Sequence, residues 1–454
     1  MSAGFWTLDS VAHALATRLT GTPPHGTRSL GYVSTDTRTI RAGDIFVALI
    51  GERFDAHDFL AAAVASGARA LVVSRDEGLA ELGAAVFVVD DTLLALGDLA
   101  RFQRMVWGGT VIAVAGSNGK TSTKELLRSA LGSRLAVHAT SGNLNNRIGV
   151  PLTLLALPAD ADVAVVELGT SIPGEIAMLR DIARPDIAIV TSIAEEHLEG
   201  FGDLAGVLRE ESSVFHGVAV GIVPSDDPEL ATAAASAGRV VRAGLDSGDI
   251  QPMSWKLESD GTGTVVLNGA LIHSPMRGVH NLRNLMLALA AAGEVGVTAV
   301  DAAIGIARLT PPPMRANWQQ IGKALVINDA YNSNPGSAIA AIDMLASAPG
   351  VQKIAVLGSM LELGRDSDRC HDSVARAALA SPANIIGGLG EFAAALQRVG
   401  AGDDRIIVAR DVDDLWLELR PRLADDATIL LKASRGAKLE RILPHITSWA
   451  NRDC

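Results

Sequence analysis

The chain is poor in cysteine. Its 454 residues hold two, Cys370 and Cys454, too few for a disulfide framework, so a reducing compartment is expected. Basic charge is also in deficit, with 39 Lys and Arg against 51 Asp and Glu and a net charge of -12. Such a surface repels polyanions on average, which argues against a general nucleic-acid or membrane-surface binder. No uninterrupted apolar stretch is long enough to span a bilayer. The opening MSAGFWTLDSVAHAL lacks a basic start and a continuous apolar core, so no signal peptide is expected. Solenoid repeats and low-complexity tracts are missing as well. These absences leave a cytoplasmic protein that works on small molecules.

What is present is ordinary globular material, 48% hydrophobic and 20% charged. The length exceeds what one core supports, and about three domains are expected. The most informative stretch is 110–127, TVIAVAGSNGKTSTKELL. A β-prone apolar run stops at a glycine turn and resumes as a helix with lysine and hydroxyls in its first turn. Gly116 and Gly119 let the backbone turn and approach a ligand closely. Lys120 adds a cation and Thr121 a metal-ligating hydroxyl, at a helix start whose unpaired N–H groups and dipole already favour an anion. Gly116, Ser117, Asn118, Gly119, Lys120, Thr121 and Ser122 thus read as a phosphate cradle. Val114 stands where a full G-x-x-x-x-G-K-[ST] loop has its first glycine, so this is the shorter G-x-x-G-K-T-S. Structural punctuation alone would not explain Lys and Thr together after the second glycine.

Three segments separate by pattern, 1–107, 108–312 and 313–454. In the first, DIFVALI, HDFLAAAVASGA and ALVVS form a strand-helix-strand passage in a small α/β domain. In the second, TVIAVAG, DVAVVEL and DIAIVTS alternate with helical stretches, as a doubly wound, mostly parallel sheet of P-loop type requires. The prolines at 311–313 read as a linker. Beyond them ALVINDA, KIAVLGS, NIIGGLG, DRIIVA and TILLKA make a second, Rossmann-like α/β series. Ligands of open parallel sheets bind at the strand ends. There the second central strand offers Glu167, and the third ends in Thr191-Ser192 ahead of His197. A carboxylate and an imidazole beside a phosphate loop suit magnesium or its waters; helix capping and a loop contact are the plain alternatives.

Ten stretches in order now resemble the ATP-dependent Mur ligases of peptidoglycan precursor synthesis: STDTR with GDIFVALIGERFDAH, AGSNGKTS, SGNLNNRIGVPLTLL, VVELGTSIPGEI, HLEGFG, GVHNLRNLMLALA, PPMRANW, VINDAYNSNPGS, VLGSMLELG and LKASRGAKLE. DAYNSNP and GSMLELG point to the branch that adds D-alanyl-D-alanine. The Asp-Asn-Pro-Arg type motif of the diamino-acid-adding branch is missing.

The resemblance implies that ATP phosphorylates the terminal carboxylate of UDP-MurNAc-tripeptide and that the amine of D-Ala-D-Ala attacks the acyl phosphate, the last cytoplasmic step of pentapeptide precursor synthesis. It implies a monomer using ATP and Mg²⁺. Lys120 would neutralise phosphate charge, and Thr121, Glu167 and His197 would hold magnesium. Asn281 and Asn284 would meet the adenine, with Asn146 near the nucleotide. Arg315 would reach the γ-phosphate and Asp329 the ribose, both supplied when the third domain closes. Asn332, Asn334, Ser434 and Arg435 would grip D-Ala-D-Ala, the Ser-Arg pair by charge-assisted donors. Ser34, Asp36, Thr37 and Arg38, with Gly51 and His57, would form the uridine diphosphate pocket, a turn being the competing reading of STDTR.

Where many relatives carry a carbamylated lysine, fourteen residues after the histidine, this chain has Glu211. Two readings stand. Glutamate supplies the carbamate's negative charge without CO₂, on an arm roughly 3–4 Å shorter, or Glu210 and Glu211 lie on a solvated helix face. Ser359 replaces an aspartate and Ala433 a glycine of the usual motifs, which bears on substrate contacts in the third domain. A folate-type glutamate ligase is opposed by the STDTR and GDIFVALIG motifs. A nucleotide-binding protein that has lost catalysis is the more distant alternative.

Overall fold

The structure, a computed structural model, describes residues 5–19, 29–75, 79 and 82–451, so Cys454 lies outside it. The chain divides into two compact units, one of residues 1–113, 135–170 and 175–186, the other of 114–134, 171–174 and 187–454.

The first unit contains the expected strand-helix-strand passage. Strands Val33–Ser34, Ile45–Val47, Ala70–Val73 and Ala85–Val88 form a parallel sheet in that order. Ile45–Val47 and Ala70–Val73 are buried along their whole length, the continuous apolar signature of a parallel sheet covered on both faces. Helix Thr92–Trp107 starts where the Asp91 carboxylate accepts from the N–H groups of Leu93 and Leu94, and stops at Gly108 with φ 70°. It packs on helices Gly149–Leu155 and Glu175–Ala183. Strands Val137–Ala139 and Val163–Glu167 pair in parallel nearby in the same unit.

In the second unit, strands Ile187–Val190, Val220–Pro224 and Arg239–Ala243 run parallel. Helix Lys120–Leu131 buries Leu126, Leu127, Ala130 and Leu131 against helices Val279–Glu294 and Ala299–Ile306. The last sheet follows the order Asn317–Ile321, Ala324–Asn328, Thr428–Lys432, Lys353–Leu357, Ile385–Leu389 and Ile406–Ala409. Its first pair is antiparallel and the rest parallel. Along Lys353–Leu357, Ile354 and Val356 enter one core cluster and Ala355 and Leu357 another. The period-2 alternation of side chains therefore buries both faces of this sheet.

One feature departs from the expected alternation of strands and helices. Ser254–Leu257, Gly263–Leu267 and Ala270–Ser274 form an antiparallel meander. Its second turn is Asn268-Gly269, with φ 48° and 79°, the pairing of positive angles that a two-residue type I′ hairpin demands. The Asn-Gly pair signals this hairpin in the sequence. Among the described residues no helix is long and apolar enough to cross a membrane.

The helix that follows the phosphate loop is seated closely on its neighbour. A Cβ at Gly305 would lie 1.9 Å from the Ser129 carbonyl oxygen. Gly305→Ala is therefore expected to force helix Ala299–Ile306 away and to lower unfolding free energy by about 1–3 kcal/mol. Denaturant unfolding checks this, and an unchanged midpoint would refute the packing argument.

Candidate active site

The cradle is a loop pinned on both sides. Strand Thr110–Ala115 delivers Gly116, with φ 114°, and Gly119, with φ 90°, precedes helix Lys120–Leu131. A Cβ at Gly116 would lie 2.5 Å from the Thr191 hydroxyl, and one at Gly119 would lie 2.6 Å from the Asn284 side-chain oxygen. No other residue fits either place. The Ser117 N–H donates to the Ser192 carbonyl at 2.8 Å, and the Asn118 N–H donates to the Ser192 hydroxyl at 3.0 Å. The Thr191 hydroxyl donates back to the Asn118 carbonyl at 2.6 Å. Thr121 and Ser122 are buried in the first helical turn.

Lys120 turns its ammonium onto its own loop. It donates to the carbonyls of Gly116 and Ser117, and lies 3.7 Å from the Glu196 carboxylate. Glu211 is 1% exposed, and its Oε2 accepts from the Gly116 N–H at 2.7 Å. Burial raises its pKa, against the pull of Lys120 and of that N–H. Glu210 is buried too and accepts from the Gly174 N–H at 2.7 Å. The solvated-face reading of Glu210 and Glu211 is thereby overturned, because helix Leu204–Ser212 presents both carboxylates inward.

Glu196 escaped the sequence reading. It is 6% exposed, and burial pushes its pKa up to about 8 despite the nearby Lys120. Its neighbour His197 occupies the left-handed region at φ 49°, at the start of the short helix Leu198–Phe201. The His197 Nδ1 pairs with the Glu362 carboxylate of the GSMLELG loop, and Glu362 is itself left-handed at φ 66°.

The phosphate loop also reaches the third sheet's domain. Asn118 and Asn334 exchange two side-chain hydrogen bonds, at 3.2 and 3.0 Å. Asn334 additionally caps helix Pro335–Ser347 by accepting from the Ser337 N–H. Ser434, buried, donates to the Ser333 carbonyl at 3.2 Å and accepts from the Leu361 N–H at 3.0 Å. It thus joins the DAYNSNP, GSMLELG and LKASRG stretches. His371, another residue the motifs did not flag, is fully buried and holds the same loop by accepting from the Met360 N–H at 2.9 Å. Ser359 accepts from the Glu391 N–H at 3.0 Å, at the start of helix Glu391–Val399. Asn332 is exposed, while Arg435 reaches the Met314 sulfur at 3.0 Å and Glu440 at 3.3 Å.

Arg315 lies 4.1 Å from the centre of the Tyr331 ring, and Asp329 is ion-paired with Lys432 at 2.7 Å. Asn281 accepts from Asn284 at 3.2 Å and donates to the Arg277 carbonyl, which orders the amide facing Gly119.

The first unit holds the other expected site residues. Glu167 is 2% exposed, and its Oε1 accepts from Asn145 at 2.9 Å. Asn146, expected near the nucleotide, accepts from the N–H groups of Ile148 and Gly149 at the start of helix Gly149–Leu155. Ser34 and Asp36 build a turn into the 3-10 helix Thr37–Thr39, with Arg38 clamped on Asp36. That hydrogen bonding lowers the Asp36 pKa to about 2. Gly51 lies in a two-stranded hairpin. His57 uses both ring nitrogens internally, on Asp55 at 2.7 Å and on the Ser74 N–H at 3.0 Å.

Family profiles match three consecutive parts of the chain: "Mur ligase family, catalytic domain" at 30–104, "Mur ligase middle domain" at 114–292, and "Mur ligase, glutamate ligase domain" at 314–435. The chain is 36% identical over 422 residues to the UDP-N-acetylmuramoyl-tripeptide--D-alanyl-D-alanine ligase of Bacillus subtilis (strain 168), covering 90% of this chain and 92% of that one. The chain belongs to the Mur ligase family. As a Mur ligase it also matches a crystal structure of MurF from Acinetobacter baumannii, with a TM-score of 0.89, 31% identity and coverage of 98% of this chain and 99% of that one. MurF from Thermotoga maritima, solved in complex with ADP, gives a TM-score of 0.83 at 28% identity, covering 93% and 98%. The three-domain α/β architecture expected of a Mur ligase stands on these matches.

The buried Glu196 makes a pH-dependent signature in the nucleotide- and metal-free protein. Its raised pKa means that the stability contributed by its neutral form is complete below pH 4.5 and is lost as pH climbs through about 8. Glu196→Gln keeps a neutral side chain throughout, so its unfolding free energy should gain on the parent's across that interval. Parallel stability curves would remove the assignment.

Proposed function

We propose that this Mur ligase joins D-alanyl-D-alanine to UDP-N-acetylmuramoyl-tripeptide in an ATP-dependent reaction through an acyl phosphate, the last cytoplasmic step of peptidoglycan pentapeptide precursor synthesis. The observation that carries the reading is the pinned cradle 116–122, whose glycines seat against Thr191 and Asn284 where a Cβ would collide and which leads into Lys120 and Thr121 at a helix start. The relatives named above support the choice of substrates.

A carboxylate becomes a usable electrophile only when its oxygen becomes a good leaving group, and phosphorylation achieves this. Transfer gathers several negative charges in one place, so positioning and electrostatics carry the catalysis. Lys120 swings from its own loop carbonyls to the phosphates, and Arg315 meets the γ-phosphate. Asn281 and Asn284 take the adenine and Asp329 the ribose. Oxygen donors such as the Thr121 hydroxyl and the Glu167 carboxylate suit magnesium in kind, and Thr121, Glu167 and His197 are the residues that would hold it. When bound, the ion supplies neutralising charge. Ser34, Asp36, Thr37, Arg38, Gly51 and His57 belong to the uridine diphosphate pocket, and Asn332, Asn334, Ser434 and Arg435 to the dipeptide side. The domain boundaries fall after 107 and 312, and the enzyme acts as a cytoplasmic monomer.

A coupled ADP-release assay with D-Ala-D-Ala and either the lysine or the diaminopimelate form of the tripeptide nucleotide should show release only when both acceptor and nucleotide are present. Release independent of either substrate would reject the reading. Glu211 serves in place of the carbamylated lysine, with its carboxylate against the cradle. Turnover should therefore not respond to bicarbonate, and Glu211→Ala should cost roughly ten- to hundredfold in kcat by leaving the buried Gly116 N–H unpaired. Full activity in that variant would sink the role.

A further inference from the structure

The linker arginine is not carried on a free strand of chain. Met314 and Ala316, on either side of Arg315, both take left-handed backbone angles, with φ 57° and 50°. Residues with a Cβ hold such angles only where surrounding contacts impose them. Here the contacts come from the loop after strand Ala324–Asn328. The Tyr331 N–H donates to the Met314 carbonyl at 3.3 Å, and the Ala316 N–H donates to the Asp329 Oδ1 at 2.9 Å. The Arg315 guanidinium rests on the Tyr331 ring, 4.1 Å from its centre, in cation–π range.

That loop has its own anchor. Lys432, 4% exposed at the end of strand Thr428–Lys432, pairs with the Asp329 Oδ2 at 2.7 Å. It also donates to the Asn332 carbonyl at 2.9 Å. One ammonium therefore ties both ends of 329–332, the segment on which the linker turn and the guanidinium rest. We propose that Lys432 is the positioning residue for Arg315, holding it through Asp329 and the 329–332 loop so that the arginine is presented as a fixed part of the third domain. The inference rests on the proposed role of Arg315 at the γ-phosphate.

An arginine placed for a transition-state charge shows in turnover, because an interaction made only there changes kcat without uniform loss of binding. Lys432→Met keeps the chain length and removes the charge. In the full-length enzyme it should lower kcat by about tenfold or more while leaving KM for D-Ala-D-Ala within about twofold. Lys432→Arg, which retains the cation, should recover most of the turnover. The double variant Lys432→Met with Arg315→Ala should be no slower than Arg315→Ala alone, since a positioning residue has nothing left to position. Losses that multiply in the double variant would overturn the inference, as would wild-type kcat in Lys432→Met beside a slow Arg315→Ala. Wild-type turnover in Arg315→Ala would instead overturn the phosphate role of that arginine, and the inference with it. Should Lys432→Met fail to fold, Tyr331→Leu supplies the same cycle at a half-buried position. Its loss should vanish in the Arg315→Ala background, and a multiplying loss there would be decisive against the proposal.

Discussion

Everything in the nucleotide cradle depends on one lysine facing two buried carboxylates. Lys120 lies 3.7 Å from Glu196, while Glu211 holds the Gly116 N–H of the same loop. Burial raises the pKa of both acids, because a carboxylate withdrawn from water loses hydration that a single shared lysine does not restore. A site with two fully charged acids would repel a triphosphate. Glu196, its pKa pushed up to about 8, leaves Lys120 its positive field at neutral pH, and the Glu211 Oε2 is engaged by the Gly116 N–H. The loop is thus set before any phosphate arrives, and Lys120 is parked on carbonyls it can leave at little cost.

Preorganisation of this kind accounts for part of the backbone strain, while Ala16, Arg184, Asn268 and Lys438 take left-handed angles elsewhere. His197, Glu362, Met314 and Ala316 all adopt left-handed angles with a Cβ, each worth about 1–3 kcal/mol. His197 is itself an expected metal ligand with Glu362 as its partner, and Met314 and Ala316 flank Arg315. His197 and Glu362 are joined by their side chains, and Met314 and Ala316 are bonded to the 329–331 loop. In both pairs the contacts that hold the angle also aim a functional group.

The sequence made the strands and the cradle legible because both are local. Apolar runs of strand length, glycines at fixed offsets and a lysine at a helix start declare themselves without knowledge of distant partners. Side-chain partnerships across long separations do not. Asn145 donates to Glu167, a partnership twenty-two residues away that no local signal announces. Glu196 lies just before HLEGFG and Lys432 inside LKASRGAKLE, yet each meets its partner, Lys120 or Asp329, from far away in the chain. Ser359, one of the departures expected to bear on substrate contacts, holds the Glu391 N–H, another partner that sequence spacing does not disclose. The meander at 254–274 was readable from Asn268-Gly269, but an expectation of regular strand-helix alternation runs past it.

The Asn118–Asn334 exchange gives the arrangement its direction. Asn118 belongs to the loop that would hold phosphate, and Asn334 both caps helix Pro335–Ser347 and neighbours Ser333, which Ser434 ties to the LKASRG turn. A pair of neutral amide bonds contributes only about 1 kcal/mol each, enough to bias docking and too little to lock it. Asn118 stands at the turn of the cradle, while Asn334 and Ser434 join the DAYNSNP and LKASRG stretches of the third domain. The cradle and the third-domain stretches therefore share a weakly held contact. A contact of that strength can yield whenever product must leave, which a buried ion pair in the same place would resist. The ion pair is kept instead within the third domain, at Asp329 and Lys432.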